Sequence, residues 1–551
     1  MKSKFSQAVH TPQYAAFRRA MRLARLSRRP GMPPFDELIE MRPSPTSETA
    51  GPNGWTRRRF LKTSGAAALT LAGGGLLTSC VKMKGAPRIV VVGAGIAGLE
   101  AAYRLKQAGY VAEVYEAAKR VGGRLYSVKD AIAPGLVTEF GASFIDSDHD
   151  ELLSLVEEFG LGLLDLAGPG ENELEEVYIF DGKRYTTAQL GDTFRSLAAL
   201  MEDDVQTVEK AFGLWEEGDS EGARSLMAPI DELSAAEYLE RAGASGDMRA
   251  VFAGVYVPEM GLDFDRMSAV SAVGGMLWMD LDAEPFALFG EDYARYTVAE
   301  GCQAIAHGLA ERIEGQVKLG HRLEAVRSKG DGFVLTFQDP NGAAVDVEAD
   351  FVIMTVPFSV LRDIEMRMEM PDIKRKAIAE LGHGMSPKLQ VGFNKRVWRE
   401  SGLSGTTYSS EPFQSAWDDS QLRGGEAGCL TIYPGGREGV KLGEGTAAEQ
   451  VERLMPGVEK SIPGVSAELS GKAERFHWPS YPFALCGYSN YTVGQWTTIA
   501  GSEAEPVGNM FFAGEHCSGS SFVNSAAESG KSVAEALAAH LGKNANKPKV
   551  T

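Results

Sequence analysis

Cysteine and histidine are scarce in this sequence. Its 551 residues include 5 cysteines and 8 histidines, with no CxxC pair and no spacing of the kind that binds zinc. This absence argues against a zinc-binding domain. A chain of this length predicts two or more domains and a large core, so it needs no disulfide scaffold, although one disulfide pair in the body is left open.

Basic charge is also scarce outside the N-terminal part. Residues 1–62 carry 13 Lys/Arg against 4 Asp/Glu, a net of +9, which leaves −27 for the rest of a chain whose total is −18. An acidic body repels phosphate backbones, so nucleic acid is not expected as a partner. Such a body favours cationic substrates, although a solvated acidic surface explains the charge equally simply.

The N-terminal part has the features of a leader. Residues 1–55 are basic and rich in Pro, Ser and Gly, which predicts a flexible extension outside the fold. Residues 56–62, TRRRFLK, resemble the twin-arginine export motif, and the weakly apolar stretch 66–77 that follows is too short for a membrane-spanning helix. The stretch ends in LTSC at Cys80, which resembles a lipobox.

These features predict an export signal over residues 56–80. The twin-arginine translocation machinery is then a partner, and the protein is expected outside the cytoplasm, in the periplasm or another extracytoplasmic compartment. A lipid on Cys80 would be its only link to the membrane. Because the twin-arginine route carries folded proteins, the signal also indicates a tightly bound cofactor. The simpler alternative is a basic surface patch.

A glycine-rich turn follows the first apolar strand of the body. Residues 88–92 predict a buried strand, and GAGIAG at 93–98 follows it directly. Gly93 allows a tight turn, Gly95 lets the backbone approach a pyrophosphate, and Gly98 lets the next helix pack on the strand. The first amides of that helix then face the phosphates. This arrangement predicts a dinucleotide site.

The second strand ends in an acidic residue at the expected distance. Glu116 lies 18 residues after Gly98, where an acid accepts hydrogen bonds from ribose hydroxyls. The same charge would repel the 2′-phosphate of NADP. Strand, turn, helix and acid together predict a Rossmann-like α/β domain and leave FAD and NAD as the candidate cofactors.

The next residues favour FAD. Residues 116–124, EAAKRVGGR, resemble the E-x-x-x-R-x-G-G-R extension of glutathione-reductase-type flavoproteins, in which Arg124 would neutralise a phosphate. From about residue 87 to 541 the sequence resembles the flavin-containing amine oxidases, that is, monoamine, polyamine and L-amino-acid oxidases. Further blocks carry the resemblance: EFGASFI at 139–145, YTVAEG at 296–301, DFVIMTVP at 350–357 and FAGEH at 512–516.

The resemblance implies an α/β fold with an interleaved architecture. A Rossmann-like FAD-binding domain of the glutathione-reductase type is expected in residues 87–166, 295–365 and 483–545. An α+β substrate domain is expected in residues 167–294 and 366–482.

The resemblance also implies which residues contact FAD. The second block would lie beside the isoalloxazine ring, the backbone of Val326 would hold the adenine, and Glu515 would lie near the ribitol and pyrophosphate. A helix beginning near Ser525 would point its N-terminus at the flavin and stabilise the anionic reduced form. The expected cofactor-binding residues are Gly93, Gly95, Ile96, Ala97, Gly98, Glu116, Arg120, Gly122, Gly123, Arg124, Gly141, Ala142, Ser143, Phe144, Val326, Pro357, Gly514, Glu515, Ser525 and Ala526.

Three residues are expected to be catalytic. Lys388 matches a family lysine that holds a water near flavin N5, although a solvated lysine on an edge strand is the alternative. Tyr488 and Phe522 match the two positions of the family's aromatic cage, with ordinary core aromatics as the alternative. Gly487 stands where covalent flavoenzymes of the family carry a cysteine, so FAD is expected to be bound non-covalently.

The expected activity is that of an FAD-dependent amine oxidase. A hydride equivalent would pass from the amine α-carbon to flavin N5, and oxygen would reoxidise the flavin and give hydrogen peroxide. No metal is expected. Phe144 stands where amino-acid oxidases of the family commonly carry an arginine, which favours amines without an α-carboxylate. An L-amino-acid oxidase, an FAD-dependent desaturase and a non-catalytic flavoprotein are the alternatives.

Overall fold

The computed structural model describes residues 86–545 except 280, 282, 284, 285, 291 and 292. The predicted extension (1–55) and export signal (56–80) lie outside the described residues. Within the described part, no helix has both the length and the apolar character that crossing a membrane requires. The four described cysteines, Cys302, Cys429, Cys486 and Cys517, are buried and free, so the disulfide left open by the sequence does not form among them.

The strands of the described residues are, in chain order, β1 (Ile89–Val92), β2 (Ala112–Glu116), β3 (Ser127–Lys129), β4 (Val137–Glu139), β5 (Leu163–Asp165), β6 (Glu175–Phe180), β7 (Lys183–Tyr185), β8 (Tyr296–Val298), β9 (Val317–Leu319), β10 (Arg322–Lys329), β11 (Gly332–Gln338), β12 (Ala344–Ala349), β13 (Phe351–Met354), β14 (Glu365–Arg367), β15 (His383–Gly384), β16 (Lys388–Phe393), β17 (Leu403–Ser409), β18 (Ser415–Asp418), β19 (Gly428–Ile432), β20 (Leu469–Phe476), β21 (Tyr488–Ser489) and β22 (Met510–Phe512).

The α-helices of the same residues are α1 (Ile96–Gln107), α2 (Asp150–Phe159), α3 (Thr187–Leu200), α4 (Glu202–Glu217), α5 (Ser220–Asp231), α6 (Ala235–Arg241), α7 (Gly246–Met260), α8 (Ala269–Gly275), α9 (Gln303–Arg312), α10 (Phe358–Leu361), α11 (Asp372–Glu380), α12 (Val397–Glu400), α13 (Gly436–Lys441), α14 (Ala447–Ser461), α15 (Gln495–Thr498) and α16 (Val523–Ala545). Short 3₁₀ helices occupy Met276–Trp278, Val465–Glu468, Trp478–Ser480 and Glu515–Cys517.

A five-stranded parallel sheet confirms the predicted Rossmann-like fold class. Its strand order is β22-β13-β1-β2-β9. The first strand lies between β2, which follows it in the chain, and β13, which is more than 200 residues away. The carboxyl end of β1 is therefore a topological switch point, where open α/β sheets bind their ligands. Helices α1 and α16 pack together over this sheet, and Gly530 of α16 is so close to α1 that an added Cβ would lie 2.1 Å from the Ala97 carbonyl oxygen.

A seven-stranded mixed sheet forms the second layer of the molecule. Its order is β20-β16-β19-β18-β17-β6-β7, with a parallel pair only between β17 and β6 among its described pairings. In β16, Leu389, Val391 and Phe393 join the hydrophobic core on one face. Because successive side chains of a strand alternate, Lys388 and Gln390 point to the other face.

Helices α3 to α8 follow one another between β7 and β8 and pack around the largest hydrophobic core. Two of them begin with a capping box, in which Thr186 or Ser234 accepts from the third helical amide and Gln189 or Glu237 reaches back to the cap. These short-range hydrogen bonds explain why the helices start at these residues. The helices enclose one side of the cavity described next.

Candidate active site

A cavity of about 1820 Å³ extends from the switch point of the parallel sheet to the polar face of the seven-stranded sheet. One end is lined by the glycine-rich turn and the other by Lys388, Trp417, Tyr433 and Tyr488. Sites for one small molecule usually measure about 300–1,000 Å³. The cavity therefore has room for a dinucleotide and a second ligand.

Two glycines of the glycine-rich turn, Gly93 and Gly98, have no space for a side chain. Gly93 has φ +108°, and a Cβ there would lie 2.4 Å from Thr355 Oγ1, while a Cβ on Gly98 would lie 2.0 Å from the Gly93 carbonyl oxygen. Gly123 approaches from the next turn, and its Cβ would lie 3.1 Å from Gly95 Cα. Bare backbone at the N-terminus of α1 fits a pyrophosphate, since the first amides and the helix dipole favour an anion.

Glu116 is fixed by backbone amides at the edge of the same cavity. Its two carboxylate oxygens accept hydrogen bonds from the amides of Ala94 and Ala118, both at 2.7 Å. Burial raises the pKa of Glu116, and these amides oppose the rise. Each oxygen has a further lone pair, so the residue fits hydrogen bonding to ribose hydroxyls.

The two arginines of the 116–124 extension have different partners. Arg120 donates to the carbonyls of Gly123 (2.7 Å) and Leu125 (3.0 Å), so it holds the turn together. Arg124 forms an ion pair with Glu515 at 2.7 Å. Burial by itself would raise the pKa of Glu515, but the charges of Arg124 and His516 and the hydrogen bonds from Ser489 and Arg124 together outweigh burial and lower this pKa to about 2. Both arginines line the cavity.

The second block approaches the cavity through its backbone. A Cβ on Gly141 would lie 2.0 Å from the Arg124 carbonyl oxygen, so these two segments pack closely. Ala142, Ser143 and Phe144 line the cavity beside Gly141. The backbone of this block therefore lies next to Lys388, which is expected to be catalytic.

Lys388 is buried on an internal strand, with 5% of its surface exposed. Its Nζ donates to the Gly141 carbonyl at 2.5 Å and to Ser143 Oγ at 2.6 Å. Burial lowers the pKa of Lys388, while Asp419 and Glu139 oppose this effect. Because β16 pairs with both β20 and β19, the edge-strand alternative is wrong.

Tyr488 and Phe522 also line the cavity. The Tyr488 hydroxyl donates to the main-chain carbonyl of Glu259 and accepts from Ser386 Oγ at 3.1 Å. Phe522 packs against the His149 ring at a centroid distance of 5.4 Å. Both expected aromatic residues thus face the same space as Lys388.

The sequence did not point to two further aromatic residues. These residues are Trp417 and Tyr433, whose ring centroids lie 5.2 Å apart. The Trp417 ring also lies 5.4 Å from the Phe144 ring and 5.0 Å from Lys388 Nζ. The Trp417 indole N–H is buried and has no hydrogen-bond partner among the described residues. Neither residue belongs to a recognised block of the family resemblance.

Glu259 was also missed. It lies at the end of α7, lines the cavity, and accepts hydrogen bonds from Tyr293 at 2.7 Å and Tyr408 at 3.0 Å. Burial raises the pKa of Glu259. Asp146, which also lines the cavity, accepts from the Ala294 amide at 2.8 Å. The substrate end of the cavity therefore has acidic groups.

Three expected cofactor residues are not at the cavity surface. Val326 is fully buried within β10, and Leu323, three residues earlier, lines the cavity instead. Gly98 does not line the cavity and packs against the Gly93 carbonyl instead. The last helix begins at Val523, and Val523 and Ala526 line the cavity, whereas Ser525 bonds to local carbonyls. The other expected residues all line it: Gly93, Gly95, Ile96, Ala97, Glu116, Arg120, Gly122, Gly123, Arg124, Gly141, Ala142, Ser143, Phe144, Pro357, Gly514, Glu515 and Ala526.

Comparison with protein families gives one match that covers most of the chain. Residues 96–538 match the family model described as flavin containing amine oxidoreductase. The match includes the helix after the glycine-rich turn and about two thirds of the last helix.

Individual relatives of the chain are named after different substrates. The chain is 24% identical to pseudooxynicotine dehydrogenase of Pseudomonas sp over 518 residues, which covers 90% of this chain and 98% of the relative. It is 29% identical to putrescine oxidase of Kocuria rosea over 380 residues, or 67% and 77% of the two chains. Among solved structures, cyclohexylamine oxidase from Brevibacterium oxydans has a similar fold, with a TM-score of 0.72 and 20% identity over 83% of this chain and 100% of the other.

Proposed function

The chain belongs to the flavin containing amine oxidoreductases, and we propose that its substrates are amines that lack an α-carboxylate. It is a flavin-dependent amine oxidase whose cofactor is non-covalently bound FAD. The observation that carries the substrate proposal is the position of Phe144. This side chain packs against Trp417 in the cavity wall, where an amino-acid oxidase would have an arginine.

The positions of the cationic residues in the cavity wall also support a substrate without an α-carboxylate. Among the described lining residues, the arginines are Arg120, Arg124 and Arg322, and all three belong to the turns and strands of the dinucleotide end. Lys388 is engaged by the second block. An unpaired carboxylate in an apolar site costs on the order of several kcal/mol. An amino acid therefore binds much less well than the corresponding amine.

The chain's residues prepare the amine for oxidation. Tyr488, Phe522 and Trp417 form apolar walls, and desolvation between them lowers the pKa of an ammonium and favours the neutral amine. Lys388 holds the Gly141 backbone in place and, we propose, a water beside it. FAD held by the residues of the dinucleotide end would supply the acceptor for a hydride equivalent from the amine α-carbon and would pass the electrons to oxygen. The net reaction converts a primary amine, oxygen and water to an aldehyde, ammonia and hydrogen peroxide.

A peroxide assay with matched substrate pairs tests this proposal. Tyramine is compared with tyrosine, and cadaverine with lysine, and the amines are expected to have the higher kcat/KM. If the amino acids are faster, the enzyme is an L-amino-acid oxidase and the reading of Phe144 is wrong. Because one relative is named a dehydrogenase, each assay is repeated with an artificial electron acceptor. Dye reduction without peroxide would overturn oxygen as the acceptor, and turnover of no amine would favour a desaturase.

We also propose that the enzyme works outside the cytoplasm. The proposal rests on TRRRFLK at residues 56–62, followed by an apolar stretch and Cys80. Export in the folded state explains how an enzyme with a non-covalent cofactor reaches a compartment where FAD is scarce. Lipidation at Cys80 would then hold it at the membrane.

A further inference from the structure

We propose that Asp419 is a positioning residue for Lys388. It fixes the backbone that Lys388 binds, and it supplies the negative charge that keeps the Lys388 ammonium protonated inside the protein. The inference rests on the proposed function, in which Lys388 acts beside the flavin. Asp419 does not line the cavity, so it acts through Lys388 rather than on a ligand.

The hydrogen-bond partners of Lys388 are neutral. Its Nζ donates to the main-chain carbonyls of Gly141 at 2.5 Å and Glu139 at 3.4 Å and to Ser143 Oγ at 2.6 Å, and to no carboxylate among the described residues. A buried ammonium is strongly disfavoured unless a negative charge compensates it. Burial accordingly lowers the pKa of Lys388, and Asp419 is the charge that opposes this effect most strongly.

Asp419 is held in a defined position directly after β18. It is buried, with 8% of its surface exposed, and its amide donates to the Cys429 carbonyl of β19 at 2.9 Å. One of its carboxylate oxygens accepts from the Glu139 amide at 2.9 Å. The Glu139 carbonyl and the Gly141 carbonyl, two residues farther on, are acceptors of Lys388. Asp419 and Lys388 therefore bind the same short stretch of backbone.

Glu139 is the other carboxylate that acts on Lys388, but its oxygens already have partners. They accept from Ser127 Oγ at 2.6 Å and from the Cys302 amide at 2.8 Å. Burial raises the pKa of Glu139, and the negative charge of Asp419 raises it further. Two nearby buried carboxylates do not both ionise readily. With Asp419 ionised, Glu139 takes up the proton, and one negative charge remains to balance one ammonium.

The other titratable groups around Lys388 are neutral at neutral pH. Burial raises the pKa of the Cys302 thiol, which precedes α9. Burial also raises the pKa of Tyr433 to about 12, and the ring of this residue lies 5.9 Å from Lys388 Nζ. On β20 the residue paired with Lys388 is Phe476, which carries no charge.

The charges around Asp419 leave it ionised. Burial raises the pKa of Asp419 to about 6, while Lys388 and Arg423 oppose this rise and Asp418 adds to it. Arg423 is itself engaged, since its guanidinium donates to the Ala299 carbonyl at 2.8 Å. At neutral pH the Asp419 carboxylate is therefore the negative charge that compensates Lys388.

The first test measures the rate of flavin reoxidation against pH. Enzyme that contains FAD is photoreduced and mixed with oxygen in a stopped-flow instrument, so no amine is needed. The rate should fall as pH rises and Lys388 loses its proton, and this fall should be absent from Lys388→Met. Asp419→Asn keeps an acceptor for the Glu139 amide but removes the charge. In this variant the fall should move to lower pH by at least about one unit.

Three further variants make the pH profile specific. Asp419→Glu keeps the charge and should hold the fall closer to its wild-type pH than Asp419→Asn does, which a purely structural role does not predict. Glu139→Gln should shift it less than Asp419→Asn. Asp231→Asn alters a buried carboxylate that does not line the cavity and accepts from Ser268 Oγ at 2.6 Å, and it should leave the profile unchanged.

The second test measures unfolding in urea and does not depend on activity. Asp419→Asn should lower the urea midpoint of the FAD-containing enzyme, because a buried ammonium then lacks its compensating charge. In the Lys388→Met background the same substitution should lower the midpoint by less than half as much, since no ammonium remains.

Three results would overturn the inference. These are a wild-type profile without a fall that depends on Lys388, a larger shift in Glu139→Gln than in Asp419→Asn, and an equal loss of stability in both backgrounds. Each leaves the proposed oxidation of amines intact. If the wild type oxidises no amine, the proposed function fails, whereas reoxidation and unfolding still decide whether Asp419 supports Lys388.

Discussion

Replacement of Lys388 by Met tests whether the buried ammonium takes part in catalysis. The side chains are similar in length, so packing is largely kept while the hydrogen bonds to Gly141 and Ser143 are lost. Leaving a buried acceptor without a partner costs about 1–3 kcal/mol. We therefore expect a modest loss of stability, with FAD still bound.

The effect on catalysis should be much larger. Lys388 already holds the Gly141 backbone before a substrate binds. If its ammonium also contributes about 3 kcal/mol to transition-state stabilisation, the loss of that ammonium slows the affected step roughly 100-fold. Stopped-flow absorbance separates the two half-reactions, since anaerobic amine reduces the flavin and oxygen then reoxidises it. We expect at least one half-reaction to slow by about two orders of magnitude.

Lys374 offers a matched control. It is also buried, with 1% of its surface exposed, and its ammonium donates to the Glu503 carbonyl at 2.7 Å, but it does not line the cavity. Lys374→Met should destabilise the protein without changing the flavin kinetics. Wild-type rates in Lys388→Met, or equal slowing in both variants, would refute a catalytic role of Lys388.

Three further predictions concern the cofactor, export and stability. Acid or heat should release FAD from the yellow protein into the supernatant, because Gly487 offers no thiol; flavin that stays in the pellet contradicts this. Joint replacement of Arg57 and Arg58 by Lys should leave folded, FAD-containing enzyme in the cytoplasm, which cell fractionation and blotting measure. Cys80→Ser should release the exported enzyme from membranes into the soluble fraction, which the same fractionation measures. Burial raises the pKa of Glu503 to about 7, so its contribution to stability is present below the usual glutamate pKa and is lost as pH rises towards 7. Urea titrations at pH 4.5 and pH 7 measure the free energy of unfolding of wild type and Glu503→Gln. Between these two pH values the wild type should lose about 3 kcal/mol more than the variant, and a difference between the two proteins that does not change with pH would disprove this.

Local features of the fold were predictable from the sequence. The turn at 93–98 was predictable because its glycine spacing is local: Gly98 is required by its contact with the Gly93 carbonyl, and Gly93 by its φ of +108°. The contact of Gly93 with Thr355, far along the chain, was not predictable. Val326, whose backbone is expected to hold the adenine, does not line the cavity, whereas Leu323 does, and the register between β10 and β11 shifts between Leu323 and Ala325. A bulge of this kind changes which side chains face the cavity, and the alternation of apolar and polar residues in the sequence does not reveal it.

The substrate end was less predictable. Glu259 and Trp417 are separated by more than 150 residues and lie outside every block of family resemblance. They meet because α7 and the seven-stranded sheet enclose one cavity, which is a property of packing between distant segments. The residues at the substrate end of the cavity are therefore the part of the site that the sequence did not reveal.

The order of the strands in the parallel sheet determines when the predicted cofactor site is complete during synthesis of the chain. The central strand β1 pairs with β13, and β13 pairs with β22 at residues 510–512, so neighbouring strands are joined by long intervening segments. Closing such loops costs entropy that is recovered only when the last strand is in place. Glu515, the partner of Arg124, follows that strand. The residues expected to hold FAD are therefore brought together only after nearly the entire chain has been synthesised. If they do hold it, FAD binding is a late event that requires the whole polypeptide to have folded.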